Sequence, residues 1–197
     1  MSEFKADLHV HTSASLDGRS ALPALAAAAR ARGLHALAVT DHNLCTPAPA
    51  ALDGVLLIPG CEVSTQAGHI TALFLERPLD LDMSGPLPPP EAAVEAIHRC
   101  GGLAVLAHPF QRPGAKPEDL AAAFDGVETA NARAAFKVPD ANEKAAGLAR
   151  RWALPCVGGS DAHDAAEVGN AFTVLTADAL TLPALRQAAA AGGRAVL

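Results

Sequence analysis

Short apolar runs alternate with alanine-rich helical segments along the chain, and this alternation limits the fold more than any other feature. The apolar runs predict nine strands, over residues 4–10, 34–39, 55–58, 70–75, 103–107, 126–129, 155–157, 171–175 and 194–197. Helices are predicted over residues 20–32, 91–99, 118–124, 140–152 and 182–191, and a proline-rich loop over 78–90. Because the strands are mostly continuous apolar runs, we expect a parallel α/β sheet with helical crossovers. An open doubly wound sheet and a small barrel both fit this pattern.

The composition is that of one folded domain. The chain has 197 residues, of which 50% are hydrophobic and 18% charged, so we expect a single domain over residues 1–197 and exclude disorder and a coiled coil. No apolar stretch is long enough to span a membrane, and the first residues lack the regions of a signal peptide. The four cysteines are too far apart for a zinc knuckle or a redox pair, so we expect reduced thiols and a cytoplasmic location.

The charge and the missing motifs exclude further classes of function. The formal net charge is −6 and the basic residues do not cluster, so a long nucleic acid is not an expected partner. No Gly-x-Gly-x-x-Gly follows the first predicted strand, which disfavours a dinucleotide-binding fold. The sequence also lacks a P-loop and the Gly-x-Ser-x-Gly elbow of serine hydrolases.

Most of the eight histidines lie at the ends of predicted strands. The six that do are His9, His11, His42, His69, His108 and His163. His9 and His11 close the first strand, His69 begins its strand, and the other three follow theirs. Glu62 comes shortly after the third strand, and Asp161 lies two residues before His163. Because the C-terminal ends of parallel strands form one face, we expect these side chains to meet. The other two, His35 and His98, are expected to have structural or surface roles.

The local spacing of these residues is typical of metal ligands. His9 and His11 are two residues apart, which puts both side chains on one face of a strand, and Asp161 and His163 repeat this spacing. Zinc, manganese and iron accept imidazole and carboxylate ligands together. The pattern therefore predicts a site for two or three metal ions. Asp7 shares the strand face of the first histidines, and we expect it to orient an imidazole rather than to bind metal.

Six short motifs in a fixed order resemble those of the PHP (polymerase and histidinol phosphatase) family. They are Asp-Leu-His-Val-His-Thr at 7–12, Thr-Asp-His-Asn at 40–43, Gly-Cys-Glu at 60–62, Gly-His at 68–69, Ala-His-Pro at 107–109 and Gly-Ser-Asp-Ala-His at 159–163. The resemblance covers residues 7 to about 175. It implies a distorted seven-stranded (β/α) barrel with a trinuclear metal cleft and phosphoester hydrolysis.

The resemblance also implies three sets of metal ligands. The first metal would take His9, His11, Glu62 and Asp161. The second would take Glu62 as a bridge together with His69 and His108, and the third would take Asp17, His42 and His163. Longer members of the family have a helical insertion between the Gly-His and Ala-His-Pro motifs, where this chain has only residues 76–102. We therefore expect an open substrate pocket.

The expected function is hydrolysis of a phosphate ester, with two or three divalent ions of zinc, manganese or iron supplying hydroxide and offsetting phosphoryl charge. Glu62, Asp161 and Arg133 are the expected catalytic residues. Arg133 follows a predicted strand end, and a guanidinium can bind phosphate bidentately, so it is the candidate phosphate clamp. Weaker candidates are Arg19, Arg112 and Lys137. The expected partner is a phosphorylated small molecule, possibly a nucleotide.

Three alternatives remain open at this point. A 5′-3′ exonuclease or nucleotide phosphatase would share the same site. An amidohydrolase-type C–N hydrolase also uses His-x-His on a barrel, but it usually has a strand lysine bridging the metals, and none of Lys5, Lys116, Lys137 and Lys144 is so placed. The third alternative is a metal-binding module without turnover.

Overall fold

The computed structural model describes residues 1–112, 114–120 and 123–197. Ten strands lie within these residues: β1 Ser2–Asp7, β2 Ala36–Val39, β3 Ala51–Leu52, β4 Val55–Thr65, β5 Gly68–Leu73, β6 Leu103–Leu106, β7 Gly126–Asn131, β8 Cys156–Gly159, β9 Phe172–Ala177 and β10 Arg194–Val196. The α-helices are α1 Leu22–Ala31, α2 Pro90–Arg99, α3 Ala132–Lys137, α4 Ala141–Trp152 and α5 Leu182–Ala191. No described helix is both long and apolar enough to cross a membrane.

The strands form one mixed sheet that curves into a nearly closed barrel. Its order is β10-β9-β1-β2-β4-β5-β6-β7-β8, and β3 pairs with β4 outside this path. The strands at the two ends of this order, β10 and β8, lie close together. Gly193 N donates to Cys156 O at 3.3 Å, and the Thr173 hydroxyl of β9 accepts from Gly158 N and donates to Gly158 O. The predicted α/β barrel class is confirmed, with ten strands where the family resemblance implied seven.

The expectation of a parallel sheet is wrong around β5, around β9 and at β3, which is antiparallel to β4. β1 pairs in parallel with β2, and β2 with β4. β6 likewise pairs in parallel with β7, and β7 with β8. In contrast, β5 is antiparallel to both of its neighbours, and β9 is antiparallel to β1 and β10. The link between β4 and β5 is only the turn at Gln66 and Ala67, which is too short for the helical crossover that a parallel pair requires. β4 continues past residue 58, where the predicted third strand ends, so Glu62 lies inside a strand and not after one.

Two helical segments differ from the predictions. α3 was not predicted, although Asn131 caps it by accepting a hydrogen bond from Ala134 N at 2.7 Å, a signal that is visible in the sequence. Of the helix predicted over 118–124, the structure forms only a 3-10 turn at Pro117–Asp119, and residues 120, 123 and 124 are not helical. Residues 121–122 of that prediction lie outside the described residues.

The barrel leaves little space between β8 and the segment after β1. A Cβ atom added to Gly159 would lie 2.5 Å from His9 Cβ and 2.7 Å from His9 N. Such contacts are too short for any side chain, so glycine is required for β8 to approach His9 this closely. The glycine thus fixes the position of the first histidine of the candidate site.

Substitution at Gly159 should therefore be destabilising. We expect Gly159→Ala to lower the free energy of unfolding by about 1–3 kcal/mol, because the new methyl group overpacks against His9. Gly147→Ala is the matched control, since its Cβ would meet nothing closer than the Arg150 side chain at 3.9 Å and alanine favours the helix α4 by up to about 1 kcal/mol. Urea unfolding of both variants measures the difference, and equal stabilities would contradict the close-packing argument.

Candidate metal centre

The structure brings all nine predicted ligands together at one end of the barrel. They come from the segments after β1, β2, β6 and β8 and from the interiors of β4 and β5. An open cleft of about 450 Å³ is lined by seven of them, namely Asp17, His42, Glu62, His69, His108, Asp161 and His163. His9 and His11 lie buried beneath it, against Glu62 and Asp161. Convergence of strand ends, expected from the sequence, is thus observed.

Glu62 lies at the middle of this group. Its carboxylate oxygens are within 3.4 Å of five imidazoles, those of His9, His11, His42, His69 and His108. The side chain is 1% exposed. Burial favours the neutral acid, but the charge of His9 and the hydrogen bonds from His108 and His69 to Glu62 Oε1 outweigh it and hold the pKa of Glu62 well below its usual value. Glu62 is therefore an ionised, central carboxylate that reaches ligands on both sides.

Three atoms in this centre are buried without a hydrogen-bond partner: His9 Nε2, His11 Nε2 and Glu62 Oε2. Leaving such polar atoms unpaired costs about 1–3 kcal/mol each. All three can donate electron pairs and they face one another, so divalent cations would satisfy them together. The donor set therefore fits metal ions.

Within the described part of the chain, four overlapping groups of side chains could each hold an ion. They are His11 with Asp17, His42 and His163; His9 with His11 and Asp161; His9 with His108 and Glu128; and His42 with Glu62 and His69. The first contains the whole third set implied by the resemblance, and the second contains most of the first set. The implied second set is divided here, because His108 groups with Glu128 while His69 groups with His42.

Hydrogen bonds at Nδ1 direct the Nε2 atoms of three histidines toward the centre. His9 Nδ1 lies 3.0 Å from Glu128 Oε1, His11 Nδ1 lies 3.4 Å from Ser15 Oγ, and His163 Nδ1 lies 2.9 Å from the carbonyl of Asp161. A carbonyl or carboxylate at Nδ1 keeps the proton there and leaves Nε2 as an electron donor. These contacts prepare the imidazoles to bind cations.

Glu128 was not singled out in the sequence, and it has the role expected of Asp7. It is buried in β7, where Oε1 contacts His9 and Oε2 accepts hydrogen bonds from His108 N and Asn131 Nδ2, each at 2.9 Å. The available signal was an acidic residue inside an otherwise apolar run. Among the described residues, Asp7 forms hydrogen bonds with Ser160, Gly169 and the backbone of His9, and none with an imidazole ring.

Asp7 instead joins strand ends. It accepts backbone hydrogen bonds from Ser160 N at 2.9 Å, Gly169 N at 2.8 Å and His9 N at 3.3 Å. Burial raises the pKa of Asp7 to about 6, although these hydrogen bonds oppose the shift. Asp7 therefore holds the segment after β8 against the segment after β1.

The pKa values of the two innermost histidines are shifted in opposite directions, by different causes. Burial opposes a charge on His9, but Glu128, Glu62 and Asp161 outweigh it and raise the pKa of His9 well above its usual value. Burial lowers the pKa of His11. A cation at His9 Nε2 would compete with this proton, so metal binding and proton release are linked.

Two candidate ligands have a left-handed backbone conformation. The φ angle is 57° at Asp161 and 28° at His108, values that cost a non-glycine residue free energy. Asp161 N donates to His9 O at 2.8 Å, and His108 N donates to Glu128. Strain of this kind concentrates at functional sites, where the surrounding contacts maintain it.

Arg133 lies in α3 at the edge of the cleft. Its Nε donates to Asp161 O at 3.0 Å and its Nη2 donates to Glu167 Oε2 at 2.7 Å, so its guanidinium is already positioned beside the metal centre. The weaker clamp candidates Arg19, Arg112 and Lys137 also line the cleft, and none of the three has a carboxylate partner among the described residues. Asp17 is half exposed, with Oδ2 at 2.9 Å from His163 Nε2.

The remaining histidines lie outside the centre, as expected. His35 Nδ1 accepts a hydrogen bond from Lys5 N at 3.0 Å, and His98 Nε2 contacts Asp125 Oδ2 at 2.7 Å.

Comparison with solved structures shows the same fold at low sequence identity. A two-domain protein from Bacteroides vulgatus, described as containing a predicted PHP-like metal-dependent phosphoesterase, is 21% identical with a TM-score of 0.70 over 100% of this chain and 65% of that one. The lesion-specific endonuclease PfuEndoQ from Pyrococcus furiosus is 18% identical with a TM-score of 0.74, over 99% and 57%. An amidohydrolase from Chromobacterium violaceum is 21% identical with a TM-score of 0.68, over 89% and 93%. This chain thus spans less than two thirds of the first two.

Sequence comparison identifies the family. The protein MJ1587 of Methanocaldococcus jannaschii, whose name describes it as uncharacterized, is 32% identical over 147 residues, which cover 65% of this chain and 82% of the relative. A family model described as PHP domain matches residues 7–107, more than half of the chain, and one described as PHP-associated matches residues 139–192. The motifs, the barrel and these matches agree, and the chain belongs to the PHP domain family.

Proposed function

We propose that this protein hydrolyses phosphate monoesters of small molecules at a site that holds two or three divalent transition-metal ions. The observation that carries the proposal is the buried Glu62 carboxylate among five imidazoles, with unpaired donor atoms, at the base of an open cleft edged by cationic side chains. Zinc, manganese and iron all suit this mixture of nitrogen and oxygen donors. The family and its metal-dependent phosphoesterase members support the hydrolase class.

The nine predicted ligands would hold the metals, with Glu62 shared between ions because both of its oxygens face imidazoles. Bound divalent ions would lower the pKa of water and offset charge on the phosphoryl oxygens. Glu128 would keep His9 in the donor orientation, and Asp161 would join the metal centre to Arg133 through its carbonyl. The reaction adds water across the ester P–O bond and gives an alcohol and inorganic phosphate.

The cationic side chains at the edge would bind the phosphoryl oxygens. Arg133 is the best placed, because contacts to Asp161 O and Glu167 hold its guanidinium beside the centre while it remains a quarter exposed. Arg19, Arg112 and Lys137 are exposed and line the same cleft. No nucleophilic side chain is required for this chemistry.

A nuclease or nucleotide phosphatase is the second candidate. The four cationic side chains of the cleft and the fold shared with an endonuclease favour it. The formal net charge of −6 argues against an extended nucleic-acid surface. Release of mononucleotides from a short oligonucleotide, faster than hydrolysis of any small monoester, would favour this candidate.

Two further candidates have less support. A C–N hydrolase is suggested by the fold shared with an amidohydrolase, but the one lysine that lines the cleft, among the described residues, is the exposed Lys137. A metal-binding module without turnover would not need cationic side chains around its ions. We retain a small phosphorylated molecule as the proposed partner. The four cysteines are free thiols, which suits the proposed cytoplasmic location.

Loss of the central carboxylate charge should remove metal and activity together. We expect Glu62→Gln to weaken metal binding by more than about 100-fold, because the amide keeps the shape but cannot supply an anionic bridge. Elemental analysis of protein purified without chelator, together with phosphatase assays, measures both effects. Glu95→Gln is the control, since Glu95 is an exposed residue of α2 paired with Arg99. Full metal content in Glu62→Gln would show that Glu62 is not a ligand.

Variants of Arg133 distinguish substrate binding from metal binding. We expect Arg133→Ala to keep its metal and to lose about 10- to 150-fold in kcat/KM on two unrelated monoesters, since one charge-assisted contact to the shared phosphate contributes about 1.5–3 kcal/mol. Arg133→Lys should recover only part of the loss, because a point charge cannot bind bidentately. Unchanged kcat/KM in Arg133→Ala would transfer the role to Arg19, Arg112 or Lys137.

A further inference from the structure

A second cavity opens directly beside the metal cleft. It has a volume of about 440 Å³ and lies between the β4–β5 turn and the segment after β6. Four residues line both spaces and form the boundary between them: His69, His108, Gln111 and Arg112. A molecule that reaches the metal centre therefore has a neighbouring space for the part that is not being cleaved.

The lining of this second cavity is cationic. Arg112 and Lys116 contribute positive charges, and Gln66 and Gln111 contribute side-chain amides. No carboxylate occurs among the lining residues that the structure describes. Neither cation forms an ion pair within the described part of the chain, although the protein as a whole has a formal net charge of −6. Unpaired cations in a concave site attract anions.

Gln111 couples the wall of this cavity to the metal centre. Its Nε2 donates to Asp161 Oδ2 at 3.2 Å, and its backbone N–H donates to His108 O at 2.9 Å. The wall is thus fixed relative to two candidate metal ligands. Arg112, the next residue, lines both spaces and can approach an anion in either.

We propose that this cavity, with Lys116 and Arg112, binds a second anionic group on the leaving-group side of the substrate. The proposal rests on the proposed function, since it places the scissile phosphate in the metal cleft. The substrate would then be a molecule with anionic groups at both ends, a phosphate ester that also carries a carboxylate or a second phosphate. Lys116 lines this cavity and not the metal cleft, so it determines specificity rather than chemistry.

Binding of non-hydrolysable probes tests this without requiring turnover. The probes are propylphosphonate, its analogue with a terminal carboxylate, and its analogue with a second terminal phosphonate. Calorimetry on the metal-loaded protein at fixed ionic strength should show at least one doubly anionic probe binding about tenfold more tightly than propylphosphonate, because it gains a charge-assisted contact. The better of the two identifies the second group.

Lys116→Met should abolish most of this preference and leave the affinity for propylphosphonate unchanged. Lys144→Met is the matched control. Lys144 is an exposed lysine of α4 that is paired with Asp140, and it lines neither the metal cleft nor the second cavity. Equal binding of the three probes by the unmodified protein, no binding of any probe, or the same loss in both variants would overturn the proposal. Selective binding without hydrolysis of any ester would instead overturn the proposed function alone, and hydrolysis with equal binding would overturn the second site alone.

Discussion

The interaction on which this site depends is the contact between one buried carboxylate and the imidazoles around it. Glu62 is 1% exposed and lies within 3.4 Å of five rings that come from four different segments of the barrel. A buried, ionised carboxylate needs compensating positive charge, and neutral imidazoles alone do not supply it. Protons on the histidines or bound cations must therefore be present, and the unpaired Nε2 atoms of His9 and His11 favour cations.

The barrel around this centre is built to hold strand ends at fixed distances. Asp7 joins the segment after β1 to those after β8, and Gly159 allows the close approach that places His9. The Glu128 carboxylate contacts the ring of His9 and accepts a hydrogen bond from the backbone N–H of His108, so β7 positions ligands from the segments after β1 and β6. These residues bind no substrate in the proposal, but their loss would misplace those that do.

The sequence predicted which side chains converge better than it predicted the sheet. Strand-end histidines and the spacing of His9 and His11 follow simple geometry, and that geometry requires only that strand ends meet on one face. Strand direction depends on the connections, and the prediction ended the third strand at residue 58, whereas β4 continues to Thr65 and leaves only a two-residue turn before β5. Glu128 could not be ranked, because a single acidic residue in an apolar run does not reveal which strand it will face. For Asp7 the strand-face argument fails because β1 ends at that residue, and its side chain turns to Ser160 and Gly169.

Anomalous X-ray diffraction from crystals of the metal-loaded protein tests the central claim most directly. The account predicts anomalous peaks at about 2.0–2.2 Å from the Nε2 atoms of His9 and His11, with at least one peak also coordinated by Glu62. A fully folded protein with no anomalous peak near Glu62, in which the carboxylate is compensated only by protonated histidines, would contradict it.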